Sequence, residues 1–238
     1  MIPEIMLNSP LLGLTVTLIA YKFGERIVER FNITFLPPLL TACAILIAVI
    51  NFTHVFTYEQ YAVGGSIINF LLGPATIALA LPLVRNFKIL RQHYKILLSG
   101  VLVGTLSGII SITLCAKLFG ASHQVLLSLI PKSVTTPIAM DISAGLGGIP
   151  PLTAACVIFA GIFGAMCAHK ILSICGVKRD IAIGLAIGAS SHALGVSTCI
   201  PKSSLQVAIG SLAIALVGIA TALLSSPVLN ILGLIITI

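Results

Sequence analysis

The chain has 238 residues, of which 58% are hydrophobic and only 8% charged, with 13 Lys and Arg against 6 Asp and Glu and a mean hydropathy of +1.17. A soluble domain carries about 25% charged residues, so this composition excludes a water-covered globule and requires a bilayer as solvent. The net charge of +7 does not point to a nucleic-acid partner, because basic residues spread over short inter-helix loops are what membrane topology requires.

Apolar segments run at about 5–21, 35–55, 66–84, 96–116, 122–140, 150–169, 181–199 and 205–236. Their lengths approach the roughly 20 residues a helix needs to cross hydrocarbon, and they lack the alternation of barrel strands. The expected fold is therefore an all-α polytopic membrane protein forming a single integral membrane domain. The opening Met1-Ile2-Pro3-Glu4 carries no basic residue, which argues against a cleaved signal and for retention of the first segment. Cys43, Cys115, Cys156, Cys167, Cys175 and Cys199 contain no C-x-x-C pair and fall mostly inside apolar segments. They read as small core residues, and neither a metal nor another cofactor is expected.

Basic residues cluster in three loops: Lys22, Arg26 and Arg30; Arg85, Lys88, Arg91 and Lys95; and Lys170, Lys178 and Arg179. All three loops should be cytoplasmic. Plain alternation of eight crossings would place the third outside, so one segment between 95 and 170 must fail to cross. The choice falls on 122–140, which holds Pro131, Pro137 and Lys132. Prolines remove backbone donors and interrupt a helix, and such backbone is tolerated at membrane depth only where protein or a cavity surrounds it. About seven spans plus one re-entrant segment result, with the N-terminus out and the C-terminus in.

Phe35-Leu36-Pro37-Pro38-Leu39-Leu40-Thr41-Ala42-Cys43 resembles Gly148-Ile149-Pro150-Pro151-Leu152-Thr153-Ala154-Ala155-Cys156 at an offset of 113. Near that offset, the segment from Gly73 to Ala80 stands opposite Gly188 to Gly195. The loop charges of the two halves are reversed. These features predict an inverted structural repeat, 1–120 and 121–238, and paired irregular segments in inverted halves point to a transporter's central site.

Two polar clusters interrupt the hydrocarbon. In the first, Lys132, Ser133, Thr135 and Thr136 precede Pro137, with Asp141 four residues on. In the second, Ser190, Ser191 and His192 lie before Gly195, with Gly184 and Gly188 upstream. Hydroxyls, a cation and the free amides of half-helix N-termini favour a small anion. The candidate substrate-binding residues are Lys132, Ser133, Thr135, Thr136, Ser190, Ser191, His192 and Gly195; His192 and Asp141 are the coupling-ion candidates. Plainer roles stand beside these: Lys132 snorkelling to the interface, His192 as a satisfied core residue, Asp141 as a cap, and Gly100, Gly104 and Gly108 as a packing face. Adjacent Ser191 and His192 diverge on a helix and no Gly-x-Ser-x-Gly occurs, so no catalytic residue is assigned and an enzyme is not expected.

The segments Pro131 to Ala139, Gly147 to Pro150, Leu152 to Ala154 and Ala189 to Gly195 resemble, in order, signature segments of the LrgB/CidB family. The resemblance covers most of the chain and is strongest from 131 to 200. It implies an antiholin-like protein of the bacterial inner membrane, linked to murein hydrolase control and paired with a small LrgA/CidA-type membrane protein. It also implies kinship with a plastid glycolate/glycerate translocator and with pyruvate movement, hence a small carboxylate solute. A homo-oligomer is compatible with either. After His192-Ala193 the chain reads Leu194-Gly195-Val196-Ser197, where the family more commonly has Ile-Gly-Thr-Ala, a departure that bears on the solute rather than the family.

Overall fold

The computed structural model describes residues 9–31, 38–53, 55–71, 74, 77–78 and 80–233, and all their regular structure is helical. The chain divides into two compact units, Met1–Ala75 and Thr76–Ile238. That boundary follows compactness and does not coincide with the repeat boundary expected near residue 120. Half of the expected interruption at Gly73 to Ala80, and Phe35 to Pro37 of the other matched segment, lie outside the described residues.

In the first unit, α1 (Pro10–Arg30) opens with Ser9 accepting from the Leu11 amide and a proline in its first turn, where the missing N–H is of no consequence. The next helix, α2 (Pro38–Ala48), continues into a π-helical turn over Val49–Thr53, and α3 (Tyr58–Phe70) starts from a capping box of Thr57 and Gln60. Glycines set the packing. A Cβ on Gly13 would lie 2.8 Å from the Gly64 Cα of α3, and one on Gly24 would lie 2.9 Å from the Pro38 carbonyl of α2. Thr17 and Tyr61 share a hydrogen bond of 3.0 Å beside the first contact.

The second unit contains α4 (Ala80–Arg85), α5 (Phe87–Leu118), α6 (His123–Leu129), α7 (Thr136–Leu146), α8 (Pro150–Ile174), α9 (Asp180–Ser197) and α10 (Ser204–Ile231). Four of these, α5, α8, α9 and α10, are long and apolar enough to cross a membrane.

The segment expected to be broken is broken. Ser122 caps α6, helical structure stops before Pro131, and α7 starts only at Thr136 with Pro137 in its first turn. Gly147, at φ +85°, ends α7 and turns the chain, after which the Ile149 amide donates to Ser128 Oγ at 2.7 Å. Residue 149 thus returns beside residue 128, and the stretch is a hairpin with its tip at 130–135.

A second hairpin overturns an expectation. The segment 181–199 is expected to be one of the seven spans, interrupted around Gly188 to Gly195; instead His192 takes φ 40°, ψ −143°, and the chain reverses there. Ser203 Oγ donates to Asp180 Oδ2 at 2.7 Å and Gln206 Nε2 donates to Oδ1 at 2.8 Å. In one straight helix, residues 180 and 203 would stand about 35 Å apart at 1.5 Å per residue. α9 is therefore two antiparallel arms, 180–191 and 193–198. Apolar content is the same for a span and a hairpin, and only the backbone at one residue distinguishes them.

Both hairpins lie on α8, from opposite ends. Thr153 near its start donates to Ser143 of the first hairpin at 2.7 Å, whereas His169 near its end lies 3.8 Å from Cys199 of the second. The two tips converge near the middle of α8, where Val157 joins Val134, Ala139, Leu185, Leu97 and Val217 in one buried cluster.

Candidate functional site

The site is built at that convergence. Lys132 sits in the non-helical tip of the first hairpin, half-buried, and its Nζ donates to Ser133 Oγ at 3.3 Å. Two cavities of about 670 and 690 Å³ flank the first arm of α9, and Lys132 and Ser190 line both. The first cavity runs along α8 past Cys156, Phe159, Phe163 and Gly164 and is mostly apolar. The second runs along α5 past Ser99, Ser107 and Ser111 and includes Ser133.

Ser190 and Ser191 exchange a hydrogen bond of 2.9 Å, with Ser190 exposed to the cavities and Ser191 buried beneath it. His192 is buried and lines neither cavity; its Nε2–H donates to the Val157 carbonyl at 2.9 Å. Because a carbonyl only accepts, this bond places the proton on Nε2. The same residue holds the only positive φ of a non-glycine among the described residues. An L side chain there costs of order 1–3 kcal/mol and persists only where its surroundings over-determine it. The ring's bond to α8 supplies that constraint, so the imidazole holds the turn that presents Ser190.

The remaining candidates are placed differently. Thr135 is the N-cap of α7, but its side chain makes no capping bond and its Oγ1 is buried without a partner. Thr136 is the first helical residue, so the amide end of α7 lies at the tip, a few residues beyond Lys132. Gly195 is buried in the second hairpin, where a Cβ would lie 2.5 Å from that of Ser191. Asp141 is exposed on α7, two turns back toward the hairpin base. Lys132, Ser133, Ser190 and Ser191 are thus brought to the cavities, whereas Thr135, Thr136, His192, Gly195 and Asp141 are not among their lining residues.

Sequence reasoning missed Gly161 and Gly164 of α8. A Cβ on Gly161 would lie 2.5 Å from the His192 ring, and one on Gly164 would overlap the Ser191 side chain. Their i, i+3 spacing in an apolar helix was the available signal. The glycines of α5 split: Gly100 packs on Leu185, a Cβ on Gly104 would only touch Ala189 at 3.7 Å, and Gly108 faces open space. Cys199 is the one buried cysteine, while Cys115 and Cys175 are exposed.

Among the described residues the one ion pair is Lys22–Glu25 in the first unit, and the Asp180 carboxylate is occupied by Ser203 and Gln206. The Lys132 ammonium therefore faces two cavities with a hydroxyl, and no carboxylate, as its neighbour.

The LrgB-like family profile matches residues 17–231, which spans both units and both hairpins. The chain belongs to the LrgB family. Relatives agree: it is 36% identical over 214 residues to the antiholin-like protein LrgB of Bacillus cereus (strain B4264), covering 90% of this chain and 93% of the relative. It is 40% identical over 200 residues to the uncharacterized protein YxaC of Bacillus subtilis (strain 168), covering 84% and 86%. No solved structure matches the chain. It is a helical membrane protein of the LrgB family.

Proposed function

We propose that this LrgB-family protein is a secondary transporter or facilitator of small monocarboxylates, of pyruvate or glycolate type, across the bacterial inner membrane, acting with a small LrgA-type membrane protein. One observation carries the reading: Lys132, without a carboxylate partner among the described residues, lies where two opposed hairpin tips meet and lines both cavities with Ser190. An ammonium at membrane depth is costly, and an ionised carboxylate supplies its counter-charge while Ser190 donates to the oxygens. The amide end of α7 adds positive potential at the same depth. The solute is bound and moved without chemistry on it.

The second hairpin revises the topology in this reading. With the three basic loops inside, Asp180 and Ser203 share the cytoplasmic side, so α10 leaves it. The seven expected crossings become six plus two hairpins, and the C-terminus moves outside. The hairpins enter from opposite faces, which supports an inverted relationship centred on their tips. A membrane-impermeant label on a cysteine added at the C-terminus should react in intact cells; labelling only after permeabilisation refutes the revised topology.

A second reading is favoured by the likeness to the antiholin-like protein LrgB of B. cereus: an antiholin-like regulator of murein hydrolase export with no solute of its own. Uptake separates the two. The purified chain, alone and with its small membrane partner, is reconstituted in liposomes and given labelled pyruvate, glycolate and lactate with and without a pH gradient. Uptake that falls at least tenfold in a folded Lys132→Ala variant supports transport. If no carboxylate moves under any of these conditions, the regulatory reading stands.

A further inference from the structure

Thr105 of α5 is 5% exposed, and its Oγ1 has no hydrogen-bond partner in the protein, not even the carbonyl one turn back that a helical threonine ordinarily uses. It lines a small, partly open cavity of about 10 Å³ with Ser133 and Ile130 of the first hairpin, Ala189 of the second, and Thr221 of α10. That volume is about one water molecule's worth of probe-occupied space, and a buried water needs two or more polar partners. A monovalent cation does not fit the chemistry. Ser133 Oγ already accepts from the Lys132 ammonium, and no carboxylate lines the cavity.

We infer that this cavity is a binding site for one water molecule, which bridges Ser133 to Thr105 and makes Thr105 a positioning residue for Lys132. The Ser133 oxygen accepts from Lys132 and its proton needs an acceptor. The water takes that proton and donates to Thr105 Oγ1. Ser133 is then held as an acceptor toward the ammonium, and the ammonium is directed at the cavities. The bridge ties the first hairpin tip to α5, on which the tip also packs where Ile130 joins Ile109 in one buried cluster.

The positioning role rests on the transport reading; the water site does not. Thr105→Val keeps the shape and removes the hydroxyl, and Thr105→Ser restores it. In detergent, Thr105→Val should lower the melting temperature while Thr105→Ser stays close to the native value, because the valine strands the water and Ser133. An unpartnered hydroxyl predicts the reverse, and a melting temperature unchanged or raised in Thr105→Val overturns the water site. In liposomes, Thr105→Val should raise KM for the carboxylate several-fold with kcat little changed, and Thr105→Ser should recover it. A KM unchanged in Thr105→Val overturns the positioning role. Absence of uptake by the native chain would count against transport, with the melting comparison still deciding the water site.

Discussion

The two hairpins solve one problem, reversing a chain at membrane depth, by different means. The first spreads the reversal over residues 130–135, with Pro131 inside it and Pro137 just beyond, and with turn bonds from the Lys132 amide to Leu129 and from the Val134 amide to Pro131. No residue of that tip takes a positive φ. The second makes the reversal at His192 alone, in a conformation that an L side chain rarely adopts, and fastens it with one bond to the Val157 carbonyl. A distributed turn leaves room for a long side chain, and Lys132 sits there with its ammonium on Ser133. A single-residue turn is compact and brings Ser190 close to α8, but it depends on every neighbour that holds it.

The comparison can be broken most forcefully at Gly164. Gly164→Leu would drive a side chain into Ser191, with no flexible neighbour to yield. Overpacking of this kind costs about 3 kcal/mol, so a steep loss of thermal stability and of folded yield is expected; a native-like melting curve would falsify the close α8–hairpin contact. A single methyl at Gly108, where no atom lies within 4 Å of an added Cβ, should leave the melting curve within error when introduced as Gly108→Ala.

Ser128→Ala tests the first hairpin at its base. It strands the Ile149 amide, which then costs about 1–3 kcal/mol, and the effect should appear as faster amide exchange at 147–149. Retention of protection there would show that the turn at Gly147 holds the hairpin without Ser128.

The smallest effect sharpens the argument at His192. His192→Ala loses the bond to Val157 and keeps the backbone penalty, whereas His192→Gly loses the bond and sheds the penalty. Glycine should therefore be the more stable of the two by about 1 kcal/mol. The reverse order, measured by chemical denaturation in detergent, would mean that the left-handed backbone is absent.

Much of the first hairpin was legible in the sequence. Pro131, Pro137 and the parity of the basic loops all act locally or through simple counting, and they located the broken segment. Ser133 and Ser190 were legible as polar residues out of place in hydrocarbon. The second hairpin was legible as an irregular stretch over Gly188 to Gly195 but not as a full reversal, because its glycines and serines fit an interrupted span equally well and a positive φ is uncommon at any non-glycine residue. The partners that permit it, Val157, Gly161 and Gly164, lie about 30 residues away.

The sequence by itself determined the solvent, the helical class, the family resemblance and the interruption around Lys132, because hydropathy, proline chemistry and charge bias act residue by residue. The tertiary structure decided that 180–203 turns back, that Thr135, Thr136 and His192 lie apart from the cavity lining, and that Lys132 and Ser190 share two cavities. The physical reason is that a strained backbone angle and a glycine contact have no local signature. Their free energy comes from neighbours that only folding brings together.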